Sequence, residues 1–97
     1  MRSIKELIKR RRLQLLIHSY IYYELNDNIV SDATWSKWAM ELVKLQNDYP
    51  DIAKEVKFNE EFQDFDGSTG FDLAKKADID AISKAHYLLS IRGKKKK

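Results

Sequence analysis

The segment from Tyr20 to Leu42, YIYYELNDNIVSDATWSKWAMEL, contains the end of one predicted helix and the beginning of the next. Its beginning belongs to an apolar helical pattern, and Asn26, Asp27 and Asn28 then form a turn-prone cluster. Ser31 and Asp32 follow as good N-cap residues for a second helix. Two helices joined by a short polar turn predict an antiparallel αα-hairpin.

The first helix of this hairpin is predicted over residues 3 to 26. Its apolar residues recur at three- and four-residue steps and widen into a broad stripe near the end. They are Ile4, Leu7, Ile8, Leu15, Tyr22 and Leu25, with Leu16, Ile17, Tyr20 and Ile21. The run Arg10-Arg11-Arg12 makes the first half polar, so we expect that half to project from the core as a partly solvated extension.

The second helix is predicted to run to about Asp48. Its apolar positions keep the helical spacing: Trp35, Trp38, Ala39, Leu42, Leu45 and Tyr49. Pro50 either stops this helix or begins a short helical turn over residues 51 to 56.

The rest of the chain predicts an irregular segment and a third helix. Four phenylalanines among acids and glycines, at 58, 62, 65 and 71, indicate an ordered loop from 58 to 73. A helix from about 78 to 92 then has Ile79, Ile82, Ala85, Leu88 and Leu89 on its inner face, with Gly93 as a stop. The fold class is therefore all-α: an antiparallel αα-hairpin plus a third helix packed on it, with an irregular loop between.

Composition limits the classes of protein that this chain can belong to. Its 97 residues, 43% hydrophobic and 34% charged with one Pro, fit one folded domain, predicted over 1–93, followed by a disordered basic tail over 94–97. It has no Cys, which excludes disulfides and thiolate metal sites. No apolar run is long enough for a membrane span, so we expect a cytoplasmic protein without membrane contact.

The net charge of +3 is unevenly distributed between the ends and the body of the chain. Basic residues gather near both ends, and the body between them is acidic. Weak, non-specific DNA contact through the ends is one possible function. The residues that would make it are Arg10, Arg11 and Arg12, with Lys94, Lys95, Lys96 and Lys97.

Three motifs in the chain resemble a signature of NAD-dependent DNA ligases. They are YIYYEL at 20 to 25, IVSDATW at 29 to 35, and ELVKL at 41 to 45 followed by Tyr49-Pro50. They are similar to the N-terminal helical module of those enzymes, domain Ia, which recognises nicotinamide mononucleotide (NMN). The match covers about a third of the chain and combines residue identities, gap lengths and helix placement.

The resemblance implies a binding site for NMN or NAD, without a metal, at five residues. They are Tyr22, Tyr23, Asp32, Trp35 and Ser36. Aromatic faces can stack on a cationic pyridinium ring, and carboxylates accept hydrogen bonds from ribose hydroxyls. Trp35-Ser36 stands where the family has Tyr-Asp, so one carboxylate of the family site is missing.

The ligases' adenylation motif Lys-x-Asp-Gly has no counterpart. The one Asp-Gly pair, Asp66-Gly67, follows Asp64-Phe65, so no lysine occupies the nucleophile position. We therefore expect a stand-alone, non-catalytic module, of a kind expected in phage genomes, with an accessory role in DNA replication or repair. Its partner could be a ligase adenylation domain, complemented in trans, or another replication protein. An alternative is a phage protein-interaction factor that keeps the fold without binding nucleotide, docking through the Trp38 and Met40 region or the basic ends.

Several residues also have purely structural interpretations. Tyr20, Tyr22 and Tyr23 could pack against Trp35 and Trp38 inside the hairpin. His18 and His86 have no spaced partner, which favours a structural role over a metal or acid-base role. The Asp64, Asp66, Ser68 and Asp72 spacing only partly fits a calcium loop, and the Asp-Gly-Ser-Thr-Gly run at 66 to 70 is better explained as a tight turn.

Overall fold

Two long helices form the predicted hairpin in the computed structural model, which describes residues 3–95, with side chains up to residue 91. Helix α1 spans Ile4–Tyr23, and helix α2 spans Asp32–Asp48. The Ser31 hydroxyl accepts a hydrogen bond from the amide of Thr34 and so caps α2. Arg12, near the middle of α1, contacts Gln46 near the end of α2, and Ser19, near the end of α1, contacts Trp35 near the beginning of α2. The two helices are therefore antiparallel.

Shorter helices and a fifth, longer one complete the fold. Helix α3 is Pro50–Glu55, with the proline in its first turn, which confirms the second of the two roles considered for Pro50. A 3-10 turn, Glu60–Phe62, and helix α4, Phe71–Lys76, follow before helix α5, Ile79–Lys95. Helix α1 packs against α2, α4 and α5. No strand occurs within residues 3–95, and the predicted all-α fold is confirmed.

The first half of α1 is part of the core, and the prediction of a solvated extension is wrong. Ile8 is fully buried and the Arg12 side chain is only 1% exposed. The Arg12 guanidinium donates to the carbonyls of Ala53, Val56 and Lys57, at 3.0 to 3.2 Å. Helix ends leave carbonyls without intrahelical partners, and Arg12 satisfies those at the end of α3. The arginine run therefore contains a buried structural residue.

Helix α5 differs from its prediction in its inner face and its end. Ile79 is 82% exposed, contrary to the prediction, whereas Ala85 is fully buried as predicted. Ala81, which the prediction did not include, is also fully buried and packs in the core. The helix continues past the predicted stop at Gly93 to Lys95. Of the basic tail predicted over 94–97, residues 96 and 97 lie outside the described residues.

Candidate functional site

A cavity of about 270 Å³ opens where the end of α1 meets the beginning of α2. All five residues predicted as a binding site line this cavity: Tyr22, Tyr23, Asp32, Trp35 and Ser36. The hairpin brings them together, because the last turn of α1 and the first turn of α2 lie at the same end of the antiparallel pair. His18, Ser19, Asn28, Ile29, Val30, Ser68, Thr69 and Gly70 complete the lining.

Trp35 forms a fixed wall of the cavity. Its indole N–H donates to the hydroxyl of Ser19, with 3.3 Å between the heavy atoms. Phe65 meets the indole edge-on, with 6.2 Å between ring centroids. A ring held at its nitrogen and braced by a second ring offers a flat face in one orientation. The polar atom of Trp35 is thus satisfied within the protein.

Tyr22 and Tyr23 form the rim of the cavity. They are 49% and 40% exposed, so these two tyrosines do not pack inside the hairpin as the structural interpretation required. Their rings meet edge-to-face at 4.8 Å, and Phe71 of α4 continues the series at 5.5 Å from Tyr23. Tyr20 is half-buried and contacts His86 instead. The rim therefore presents aromatic surface to solvent.

Asp32 and Ser36 lie on the outer side of the cavity, one turn apart on α2. Both are exposed, and Asp32 belongs to the first turn of α2, where the helix dipole favours a negative charge. Asp32 is the one carboxylate among the described residues that line the cavity. A cationic ring entering this cavity would meet aromatic faces and this single negative charge.

The loop before α4 supplies a third wall that the sequence did not predict. The Thr69 hydroxyl and the Tyr23 hydroxyl share a hydrogen bond of 3.1 Å, which ties the loop to α1. Gly70 approaches so closely that a Cβ atom there would lie 2.9 Å from Cζ2 of Trp35. The sequence identifies this run as a turn, but no periodicity connects it to the hairpin.

Asp66 stabilises the turn that precedes Thr69 and Gly70. Its carboxylate accepts from the Ser68 hydroxyl at 2.6 Å and from the Ser68 amide at 2.9 Å. These hydrogen bonds hold the pKa of Asp66 below its usual value. Gly67 has a φ of +86°, which glycine adopts without steric cost. The tight-turn interpretation of this run therefore agrees with the backbone.

His18 is a cavity residue that the resemblance did not assign. It precedes Tyr22 by one helical turn, so both residues face the same side of α1. Its ring packs against Trp38 with 5.5 Å between centroids, and its Nδ1 atom is buried without a hydrogen-bond partner. Burial lowers the pKa of His18 from its usual value. The helical spacing from Tyr22 was the signal that could have identified it.

The basic residues near the start of the chain do not form one exposed surface. Arg12 is buried against backbone carbonyls, so its predicted contact with DNA is wrong. Arg11 forms a salt bridge with Glu41 at 2.8 Å, and Arg10 is exposed. The side chains of Lys94, Lys95, Lys96 and Lys97 lie outside the described residues.

Neither a membrane-spanning helix nor a metal-binding group occurs among the described residues. Within the part of the chain that the structure describes, no helix is long and apolar enough to cross a membrane. The same residues contain no group of three or more His, Asp or Glu side chains arranged to hold a metal ion. Asp64, Asp66 and Asp72, whose spacing partly resembles a calcium loop, therefore do not form such a group.

About half of the chain is similar to DNA ligases, which confirms the predicted resemblance. It is 37% identical over 51 residues to the DNA ligase of Petrotoga mobilis, and 37% identical over 50 residues to that of Pseudothermotoga lettingae. The DNA ligase of Thermotoga petrophila is 31% identical over 51 residues. These matches cover 52 to 53% of the chain but only 7 to 8% of the length of each ligase. No family model matches the chain. No solved structure matches it either.

Proposed function

We propose that the chain is a non-catalytic module that binds the nicotinamide mononucleotide half of NAD and acts beside a catalytic protein in DNA replication or repair. The observation that carries this proposal is that Tyr22, Tyr23, Asp32, Trp35 and Ser36 all line the same cavity. The similarity to DNA ligases supports the ligand class. Each of these five residues is one that the resemblance to NAD-dependent ligases selects.

The residues around the cavity suit the ligand in charge and shape. The face of Trp35 can stack on the pyridinium ring, and Tyr22 and Tyr23 can cover it from the rim. Asp32 can accept hydrogen bonds from the ribose hydroxyls and offset the positive ring. NAD would supply an activated pyrophosphate, and this chain would hold its nicotinamide end. The chain contributes binding, because it has no Lys-x-Asp-Gly motif to form an adenylate.

A calorimetric titration with NMN and with NAD tests the proposal. We expect heat of binding and a change in tryptophan fluorescence as the ligand covers Trp35. Asp32→Asn should weaken NMN binding about tenfold or more, because a charged hydrogen-bond partner is lost. Asp51→Asn is the matched control, since Asp51 is also an exposed aspartate in the first turn of a helix, α3, and lies outside the cavity. Absence of heat at millimolar NMN and NAD would exclude the nucleotide function.

The partner in this proposal is a ligase adenylation domain supplied in trans. Mixing the chain with such a domain that lacks its own helical module should restore adenylation by NAD. The Asp32→Asn variant should restore less, and Asp51→Asn should restore as much as the unmodified chain. A domain that remains inactive with the unmodified chain would remove this partner from the proposal.

A second candidate is a protein-interaction factor that has kept the fold without the ligand. Ser36 favours it, because the family's carboxylate is missing at this position. The 59% exposed side chain of Met40 offers an apolar contact on α2. The same titration separates the two functions. Partner capture that survives Asp32→Ala and Trp35→Ala, but is lost with Met40→Glu, would favour the interaction factor.

A further inference from the structure

One ring nitrogen of His18 is buried without a partner at the inner end of the cavity. The Nδ1 atom has no hydrogen bond, although buried polar atoms nearly always find one. His18 as a whole is half-buried and lines the cavity. Among the described residues, no hydrogen bond involves the other ring nitrogen, Nε2, and Nε2 is not one of the buried atoms that lack a partner. Nε2 is therefore the polar atom of the ring that a ligand can reach.

The environment of the ring decides which nitrogen carries the proton. A neutral imidazole has one N–H donor and one acceptor nitrogen. A buried N–H without an acceptor is less well tolerated than a buried acceptor without a donor. The proton is therefore favoured on Nε2, where water or a ligand can accept it. Because desolvation lowers the pKa of His18, the neutral ring is the form that prevails near neutral pH.

The cavity changes character from its inner end to its mouth. Ser19 is 1% exposed and His18 half-buried, whereas Tyr22, Asp32 and Ser36 are exposed. A nicotinamide nucleotide entering with its ring first would leave ribose and phosphate at the exposed mouth. The substituent farthest from the ribose, the carboxamide, would then reach the end where His18 lies.

We propose that His18 recognises the carboxamide oxygen of the nicotinamide ring through its Nε2–H group, and so selects carboxamide-bearing pyridinium nucleotides. This inference rests on the proposed function and adds a sixth ligand-contacting residue to its five. Trp38 holds the imidazole from the side, so the donor has a defined direction. Ser19 is only 1% exposed, so its hydroxyl is a less accessible donor than the half-buried His18 ring.

The first test reads the tautomer in the free protein. A long-range ¹H–¹⁵N correlation spectrum of the imidazole nitrogens distinguishes protonation at Nε2 from protonation at Nδ1. We expect the Nε2–H form for His18 at pH 7. A spectrum with the proton on Nδ1 would overturn the proposal, whether or not any nucleotide binds.

The second test compares two ligands and two substitutions by titration. The ligands are NMN and the otherwise identical ribonucleotide of unsubstituted pyridine, which lacks the carboxamide. His18→Phe keeps a ring against Trp38 and removes the donor, while His18→Gln keeps an N–H donor of similar reach. We expect His18→Phe to weaken NMN binding about five- to tenfold and to change binding of the pyridine ribonucleotide by less than about twofold. His18→Gln should retain part of the preference.

The control is His86→Phe, which removes an exposed histidine outside the cavity. It should leave the affinity for both ligands unchanged. Equal weakening of both ligands by His18→Phe, or no weakening of NMN, would overturn the role of His18 while leaving the proposed function intact. If the unmodified chain binds neither ligand, the proposed function itself fails and the role of His18 falls with it.

Discussion

The indole nitrogen of Trp35 lies 3.3 Å from the hydroxyl oxygen of Ser19, and this hydrogen bond joins α2 to α1 at the inner end of the cavity. Ser19 is 1% exposed, so water cannot readily replace it as the acceptor. The same contact supports the hairpin and orients the aromatic wall. Stability and ligand binding should therefore depend on it together.

Removing the Ser19 hydroxyl should lower both the stability of the fold and the affinity for the ligand. Ser19→Ala leaves the indole N–H without its acceptor, and we expect the free energy of unfolding to fall by about 1 to 2 kcal/mol. NMN binding should weaken several-fold because the indole is no longer fixed. Urea unfolding and calorimetry measure the two effects. Ser83→Ala, at an exposed position on α5, is the control and should change stability by less than about 0.5 kcal/mol.

Adding one methyl group at Gly70 should displace the aromatic wall. The new Cβ would lie 2.9 Å from both Cβ of Ser19 and Cζ2 of Trp35, closer than real Cβ contacts occur. We expect Gly70→Ala to cost about 1 to 3 kcal/mol in stability, through overpacking. The near-ultraviolet circular dichroism of the indole should change as well. An unaltered spectrum together with unaltered stability would show that the loop does not press on Trp35.

The contacts of Trp35 with Ser19 and Gly70 are only partly predictable from sequence patterns. The helix bounds of α2 follow from apolar periodicity and the Ser31 cap, both of which are local. The meeting of Tyr22 and Asp32 in one cavity was implied by the resemblance to ligases. The wall at Gly70 depends on how a loop some thirty residues beyond Trp35 folds back, and neither spacing nor composition encodes that approach. The burial of Arg12 is not predictable from sequence for a related reason: the carbonyls that it satisfies lie at the end of α3, far along the chain.

Arg12 should be far more important to stability than its neighbour Arg10. Arg12→Ala removes the donors to three backbone carbonyls and to the Gln46 side chain, all at buried or partly buried sites. We expect a loss of about 3 kcal/mol or more in the free energy of unfolding. Arg10→Ala, at an exposed position on the same helix, should change it by less than about 0.5 kcal/mol. Similar losses for the two variants in urea unfolding would refute the structural role of Arg12.

Protonation of His18 should destabilise the fold. Its pKa is lowered in the folded chain, and the ordinary value in an unfolded chain is about 6.5, so the unfolded state takes up the proton first. By linkage, the stability that the neutral ring permits is present above about pH 7 and is lost as the pH falls through the depressed folded pKa. Burial of the ring causes this lowering of the His18 pKa. Two charged residues also face this region: Arg11 contacts the same Trp38 ring, and Asp32 lines the same cavity.

Urea unfolding at a series of pH values measures this dependence. His18→Gln should flatten the part of the profile that lies below neutrality, because glutamine does not titrate. His86→Gln is the control for losing a histidine, and it should keep the slope that His18→Gln removes. A profile that His18→Gln leaves unchanged would contradict the linkage.

Restoring the missing carboxylate should strengthen ligand binding. Ser36 is exposed on the cavity wall one turn after Asp32, where the ligase signature has aspartate. Ser36→Asp adds an acceptor for a ribose hydroxyl and a second negative charge near the pyridinium ring. We expect NMN to bind about tenfold more tightly, because a charged hydrogen bond contributes about 1.5 kcal/mol or more. Lys37→Ala changes the net charge by the same amount at the adjacent exposed position outside the cavity. If Lys37→Ala strengthened binding as much as Ser36→Asp, the gain would come from overall charge rather than from a contact in the cavity. No gain from Ser36→Asp would mean that Ser36 does not reach the ligand.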